Sequence, residues 1–156
     1  MKQLNPKWVD FVKTVVNSSR YFKNQNIKIV DLRYGESFVE IELDRKHLQG
    51  YGYVHGGVYS ALIDSAGFFA VYTRVEGDDS AATIEMKVNY LSSVKSGKLL
   101  AHSRCITLGK SIGLAEVTIK NDEDKLLAYG TVTVMVKPPL KNLAAANLPA
   151  KFNESS

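Results

Sequence analysis

The sequence predicts an α+β fold in which a curved antiparallel sheet wraps one long central helix. Two observations predict it. Residues 56–73, GGVYSALIDSAGFFAVYT, are apolar on every helical face and too long for a strand. Around them lie six short runs in which apolar and polar residues alternate, separated by turn-forming residues. A helix that is apolar all round has to be covered on nearly every side, and a curved sheet is the simplest cover.

Taken in chain order, NPKWVDFVKTVVNSS places Trp8, Phe11, Val12, Val15 and Val16 at helical spacing, with Asn5 as N-cap and Pro6 in the first helical position. An amphipathic helix over about 6–18 is expected, packed on the body. The runs IKIVDLRY (27–34) and FVEIEL (38–43) alternate around Gly35 and read as a half-buried hairpin. After the central helix, AATIEMKVNYL, KLLAHSRCITL, IGLAEVTIK and KLLAYGTVTVMV read as four further strands, joined by SSVKSG, GKS and NDED. The core so defined spans about 27–137. Residues 138–156 read as a tail with at most a weak helix. No repeat or second domain emerges, so the 156 residues are expected to form one domain.

Composition narrows the function classes. The 20 Lys and Arg are scattered among 16 Asp and Glu, and the net charge of +4 is not gathered into the stripe that binds nucleic acid. The start of the chain carries no apolar core followed by a small-residue cleavage site, and the lone Cys105 offers no intramolecular disulfide. A reducing, cytoplasmic setting is expected, which leaves the N-x-[ST] matches at Asn17 and Asn153 without meaning. The central apolar stretch is not read as a membrane span. Asp64 would sit at the bilayer centre, where an acid costs roughly 2.5–3.5 kcal/mol on insertion scales.

That acid is the feature to explain. Burying a carboxylate is unfavourable unless something compensates it, so Asp64 is either structurally paired or chemically used. Helical spacing gives its same-face neighbours as Gly57, Ser60, Ala61, Gly67, Phe68 and Val71. Only Ser60 among them offers a hydrogen bond, and the small side chains leave a groove suited to a ligand or a facing chain. Gly56 and Gly57 open the helix, where the first backbone N–H groups lack intrahelical partners and the dipole favours anions. Without Cβ atoms they also let a ligand reach the backbone; the bland alternative is that they let helix and sheet approach.

Gln49, the triplet His55-Gly56-Gly57, Asp64 in the following helix and then TIEMKVNYLSSVKSG together resemble the hotdog-fold thioesterases, specifically the phenylacetate-degradation branch that hydrolyses acyl-coenzyme A (acyl-CoA). The likeness covers roughly residues 27–137. It implies the hotdog fold, an acyl-CoA substrate, no cofactor and no metal. Such hydrolysis builds negative charge on the thioester oxygen and needs a base or nucleophile beside the carbon.

The resemblance assigns these parts residue by residue. Asp64 becomes general base or nucleophile, the alternative being an ion pair with a partner subunit. The Gly56 amide and the Gln49 side-chain NH₂ become donors to the thioester oxygen. For Gln49 the alternative is an exposed loop residue. His55 is implied to order the loop before the helix, with Gly57 beside it, and the acyl group to lie near Phe68 and Phe69. His47 and His102 show no metal-ligand spacing with His55.

Thr83 falls where the resemblance places a hydroxyl that positions water. Strand alternation nevertheless puts it in phase with Glu85, Lys87 and Asn89, away from the face of Ile84, Met86 and Val88. Lys110 and Ser111 in LGKSIG are implied to contact coenzyme A phosphates; the ordinary reading is a solvated hairpin turn. Cys105 reads as a core residue.

The long run TIEMKVNYL is expected to pair with its twin, and the resemblance implies a homodimer or homotetramer with sites between subunits. Two other functions fit a hotdog fold. One is a non-catalytic acyl-CoA sensor, although the roughly 25 residues before the first strand are too few for an added DNA-binding domain. The other is a dehydratase, whose histidine and acid follow a different pattern. The acyl group itself is not specified; Tyr59, Phe68, Phe69 and Tyr72 point equally to an aromatic pocket or to plain core.

Overall fold

A computed structural model describes residues 2–140 and 148–153. Helix α1 (Pro6–Asn17) is capped as expected, with the Asn5 side chain accepting from the Lys7 amide at 3.0 Å. A second helix, α2 (Arg20–Gln25), was not expected. It buries only Phe22 and ends on Asn26 in the left-handed region at φ 55°, so six residues carry no readable periodicity. Asn17 is also more than a sequence match, because its side-chain amide bonds both the N–H (2.8 Å) and the C=O (3.1 Å) of Ile29.

Strands β1 (Ile27–Arg33) and β2 (Glu36–Glu42) form the hairpin about Gly35, whose φ of 81° only glycine adopts without strain. A single 3-10 turn at Arg45–His47 and a short loop lead to α3 (Gly56–Tyr72), the central helix. Then come β3 (Ser80–Tyr90), β4 (Lys98–Leu108), β5 (Ile112–Asn121) and β6 (Leu126–Lys137). All neighbours pair antiparallel in one six-stranded sheet of order β1-β2-β4-β5-β6-β3. Among the described residues, no helix is long and apolar enough to cross a membrane.

The sheet curves around α3 and buries alternate residues against it: Ala115, Val117 and Ile119 on β5, Val132 and Val134 on β6. Approach is closest where glycines remove side chains. A Cβ on Gly67 would lie 2.4 Å from a Val132 methyl, and one on Gly130 would lie 2.6 Å from the Lys87 carbonyl oxygen. The contacts give a ladder of levels along the helix: Ile63 over Gly130, Gly67 over Val132, Val71 over Gly113. The C-terminal end of α3 is closed by the segment 148–153. Phe152 bridges to Leu4, and the Lys151 ammonium donates to the carbonyls of Tyr72 and Val75. Burial pulls the Lys151 pKa down to about 8, against the opposing pull of Asp78 and Asp79. Part of the expected 138–156 tail lies outside the described residues.

Strand β3 is an edge, and it corrects one sequence expectation. Its register against β6 runs Thr83 to Val134, then skips Ile84, then Glu85 to Thr133 and Met86 to Val132. Ile84 is a bulge, and a bulge reverses the phase of everything beyond it. Thr83 therefore shares the helix side of the sheet with Met86 and Val88, whose partners Val134, Val132 and Gly130 are all buried. Ile84 is instead turned out and is 50% exposed.

Candidate active site

The start of α3 leaves one amide free. His55 is the N-cap, and its Nδ1 accepts from the Gly57 N–H at 2.8 Å; the Val58 N–H donates to the His55 carbonyl at 2.9 Å. Among the described residues the Gly56 N–H has no hydrogen-bond partner, and it stands at the positive end of a 17-residue helix. Gly56 also lacks a Cβ because the Tyr90 ring lies over it, 3.2 Å from where that atom would be. The Tyr90 hydroxyl is 2.8 Å from Ser60 Oγ. A cavity of about 370 Å³ opens here, lined by Val54, Gly56, Tyr59, Tyr90, Leu91 and Ser92. Tyr90, which lies at the site's edge, was not singled out from the sequence; only its phase with Val88 and Met86 hinted at it.

Gln49 sits in the small loop that leads into this helix. Leu48 bridges Val54, the Gln49 N–H donates to the Tyr53 carbonyl at 2.8 Å, and its carbonyl accepts from Gly52 at 2.8 Å. The side-chain oxygen of Gln49 accepts from the Tyr51 N–H. A backbone N–H can only bond the amide oxygen, so the NH₂ is left as the unengaged donor of this side chain. Among the described residues that NH₂ makes no hydrogen bond. Gly56 and Gln49 thus present two donors from one helix start and the loop before it.

Asp64 is half-buried on the stripe Gly56, Ser60, Asp64, Phe68, each one turn from the last. Ser60 and Gly56 both meet Tyr90, so this stripe faces the β3 edge. Asp64 Oδ1 is shut off from solvent and has no hydrogen-bond partner among the described residues. The Ser60 hydroxyl does not supply one, being engaged by the Gly56 carbonyl and Tyr90. An unpartnered buried oxygen costs about 1–3 kcal/mol, and among the described residues no ion pair offsets that cost for Asp64.

The other expected residues fall elsewhere. Thr83 pairs with Val134, the partner of Gly113, and so lies at the level of Val71, seven residues along the helix from Asp64. Phe68 is half-buried and stacks on Tyr72, ring centres 5.5 Å apart. Lys110 and Ser111 form the exposed turn between β4 and β5. That turn lies beside Arg74 at the C-terminal end of α3, about 25 Å of helix away from Gly56. One chain does not bring them together. Cys105 is buried, 3.7 Å from an Arg74 nitrogen; burial pushes its thiol pKa up while Arg74 pulls it down.

An antiparallel sheet wrapped on a helix that carries a free N-terminal amide and an unpartnered acid is the layout of a hotdog-fold hydrolase. Residues 51–128 match the family described as the thioesterase superfamily. The 1,4-dihydroxy-2-naphthoyl-CoA hydrolase of Listeria monocytogenes is 32% identical over 115 residues, which cover 74% of this chain and 94% of that one. A thioesterase crystal structure from Haemophilus influenzae superposes with a TM-score of 0.78 at 25% identity, covering 85% of this chain and 92% of the other. A Streptococcus mutans protein solved with acetyl-CoA bound has a TM-score of 0.67 at 29% identity, covering 74% and 92%. The chain belongs to the thioesterase superfamily and is a thioester hydrolase of the hotdog fold.

Proposed function

We propose that the protein is a cytoplasmic acyl-CoA thioesterase acting on a small-to-medium or aromatic acyl group, with its site formed between two subunits of a homodimer or of a dimer-of-dimers tetramer. The observation that carries the site assignment is Asp64, whose buried oxygen finds no donor among the described residues while facing an open sheet edge. The thioester oxygen is held by the Gly56 amide and the Gln49 NH₂ of one subunit. The acid comes from the other.

The free β3 edge supports this pairing. It exposes Ile84, Met86 and Tyr90, and an unpaired apolar edge invites a second copy. Antiparallel pairing about a two-fold axis exchanges the ends of the helices, so the partner's Lys110–Ser111 turn approaches the Gly56 end for contact with the coenzyme A phosphates. In the reaction, Asp64 takes the proton of an attacking water, or attacks the carbonyl carbon itself. The oxyanion forms against the two donors, and its collapse expels the coenzyme A thiolate, which takes up the proton. Where Asp64 has attacked, water then hydrolyses the acyl anhydride and releases the acid. His55 with Gly57 keeps the helix start in shape and Phe68 lines the acyl path, while Thr83, about 10 Å along the helix from Asp64, lies too far from it to hold the water. The Listeria relative's aromatic CoA thioester supports an aromatic or similarly compact acyl group.

Thiol release from a panel of acyl-CoA esters tests the reading, comparing the native chain with Asp64→Asn. A folded Asn variant is expected to lose about 10²–10⁴-fold in kcat, the usual contribution of a positioned proton acceptor. Native-like turnover in that variant, or no turnover of any ester by the native chain, overturns it.

A further inference from the structure

The residue that joins the two donors is His47, which neither touches substrate in the proposed site nor fits any metal group. The residue is 1% exposed, and both ring nitrogens are used. Nδ1 accepts from the Asp44 N–H at 2.9 Å, and Nε2 lies 2.9 Å from the carbonyl oxygen of Gln25, the last residue of α2. An N–H on one side and a C=O on the other leave a single consistent tautomer, with the proton on Nε2 donating to Gln25. The backbone of His47 is engaged as well. Its N–H donates to the Asp44 carbonyl at 2.9 Å, and its carbonyl accepts from the His55 N–H at 2.8 Å.

Three segments therefore meet on one residue: the end of α2 and the entry of the 3-10 turn on its imidazole, and the N-cap of α3 on its backbone carbonyl. Gln49 is two residues further along, and Gly56 follows His55. We propose that His47 is the positioning residue of the oxyanion site, holding the Gln49 loop at a fixed distance from the free Gly56 amide. The inference rests on the thioesterase reading above. It acts through the two donors, so its loss is felt in turnover rather than in substrate affinity. A displacement of about 1 Å at a reacting group can lower the rate roughly 10²-fold.

The test uses His47→Asn, which keeps an acceptor where Nδ1 stood, His47→Gln, which keeps a donor near the position of Nε2, and both again in a Gln49→Ala background. Steady-state kinetics are measured on the best acyl-CoA ester, and folding is checked by thermal melting. Each single variant is expected to lose about 10- to 100-fold in kcat with KM changed less than about threefold. In the Gln49→Ala background the same substitution is expected to cost less than half as much on a logarithmic scale, because the donor it positions is gone. Folded variants with native kcat overturn the proposal, and so do losses that multiply fully with Gln49→Ala. Native turnover is the baseline in either case, so failure of the thioesterase reading shows as an inactive native chain and is distinct from failure of this one.

Discussion

Gly67→Ala tests how tightly the central helix is seated. The new methyl carbon would lie 2.4 Å from Val132 Cγ2 and 2.5 Å from Val132 Cβ. Rotating Val132 relieves the first contact but not the second, because Cβ is fixed to the backbone of an inner strand flanked by β5 and β3. Helix and sheet must therefore separate by about 1 Å to reach ordinary carbon–carbon contact. Overpacking of this kind costs about 1–3 kcal/mol, and a clash with a fixed atom belongs at the upper end. Replacing glycine by alanine inside a helix returns about 1 kcal/mol. The net loss is about 2 kcal/mol, or about 4–8 °C in Tm for a chain of this size. Asp64 lies one turn away, so the same shift is expected to lower kcat about 10- to 100-fold. Differential scanning calorimetry with acyl-CoA kinetics measures both, and an alanine variant as stable as the native chain would refute the reasoning outright.

Gln49→Ala removes one of the two proposed oxyanion donors and is expected to reduce kcat about 10²–10³-fold with little change in KM; kinetics with KM raised and kcat intact would show a substrate-binding role instead. Ile84→Lys places a charge on the exposed β3 bulge, where the single chain is undisturbed, and light scattering should find a monomer without turnover. A fully active monomer contradicts the intersubunit site. Burial pushes the Tyr59 phenol from its ordinary 10.0 up to about 12, so the folded state favours the neutral form. That contribution is fully present below pH 10 and is lost as pH rises through 12. The stability advantage of the native chain over Tyr59→Phe, followed by urea midpoints, should accordingly shrink by about 1.4 kcal/mol per pH unit in that window, and a constant advantage contradicts the assignment.

What could be read from the sequence was whatever depends on local periodicity. The central helix ends at Tyr72 and β4 covers Lys98–Leu108, as their apolar patterns require. The Gly56 amide and Asp64 were also legible, one as a glycine at a helix start and the other as an acid in an apolar run. Three features were not, each for a tertiary reason. Helix α2 holds its place through Phe22 and the His47 contact rather than through a repeating stripe. The bulge at Ile84 is set by pairing with β6, and one skipped residue was enough to reverse the predicted face of Thr83. In DRKH (44–47) the position that usually holds Glu or Gln in a capping box is His47, whose second bond to Gln25 arises only once the chain has folded.

The spacing along α3 bears on how the proposed site is assembled. Gly56 and Asp64 are eight residues apart, about 12 Å along the helix axis. A thioester oxygen held about 3 Å from the Gly56 amide puts its carbon within about 4 Å of that nitrogen, and an attacking atom must come within about 3.5 Å of the carbon. An aspartate side chain leaning back toward the N-terminus recovers only about 2–3 Å of the difference. Direct attack by one subunit's Asp64 on a thioester held at its own Gly56 is therefore out of reach, whereas a bridging water would add about 3 Å of reach, and the proposed site takes its donors from one chain and its acid from the other. Subunit mixing tests this directly. Gln49→Ala and Asp64→Asn chains are each nearly inactive alone, but a heterodimer of the two contains one site with both native residues. Unfolding and refolding an equimolar mixture makes half the dimers mixed, each with one working site of two, so about a quarter of native activity should return. If donors and acid belonged to the same chain, every site in the mixture would carry one lesion and no activity would be recovered.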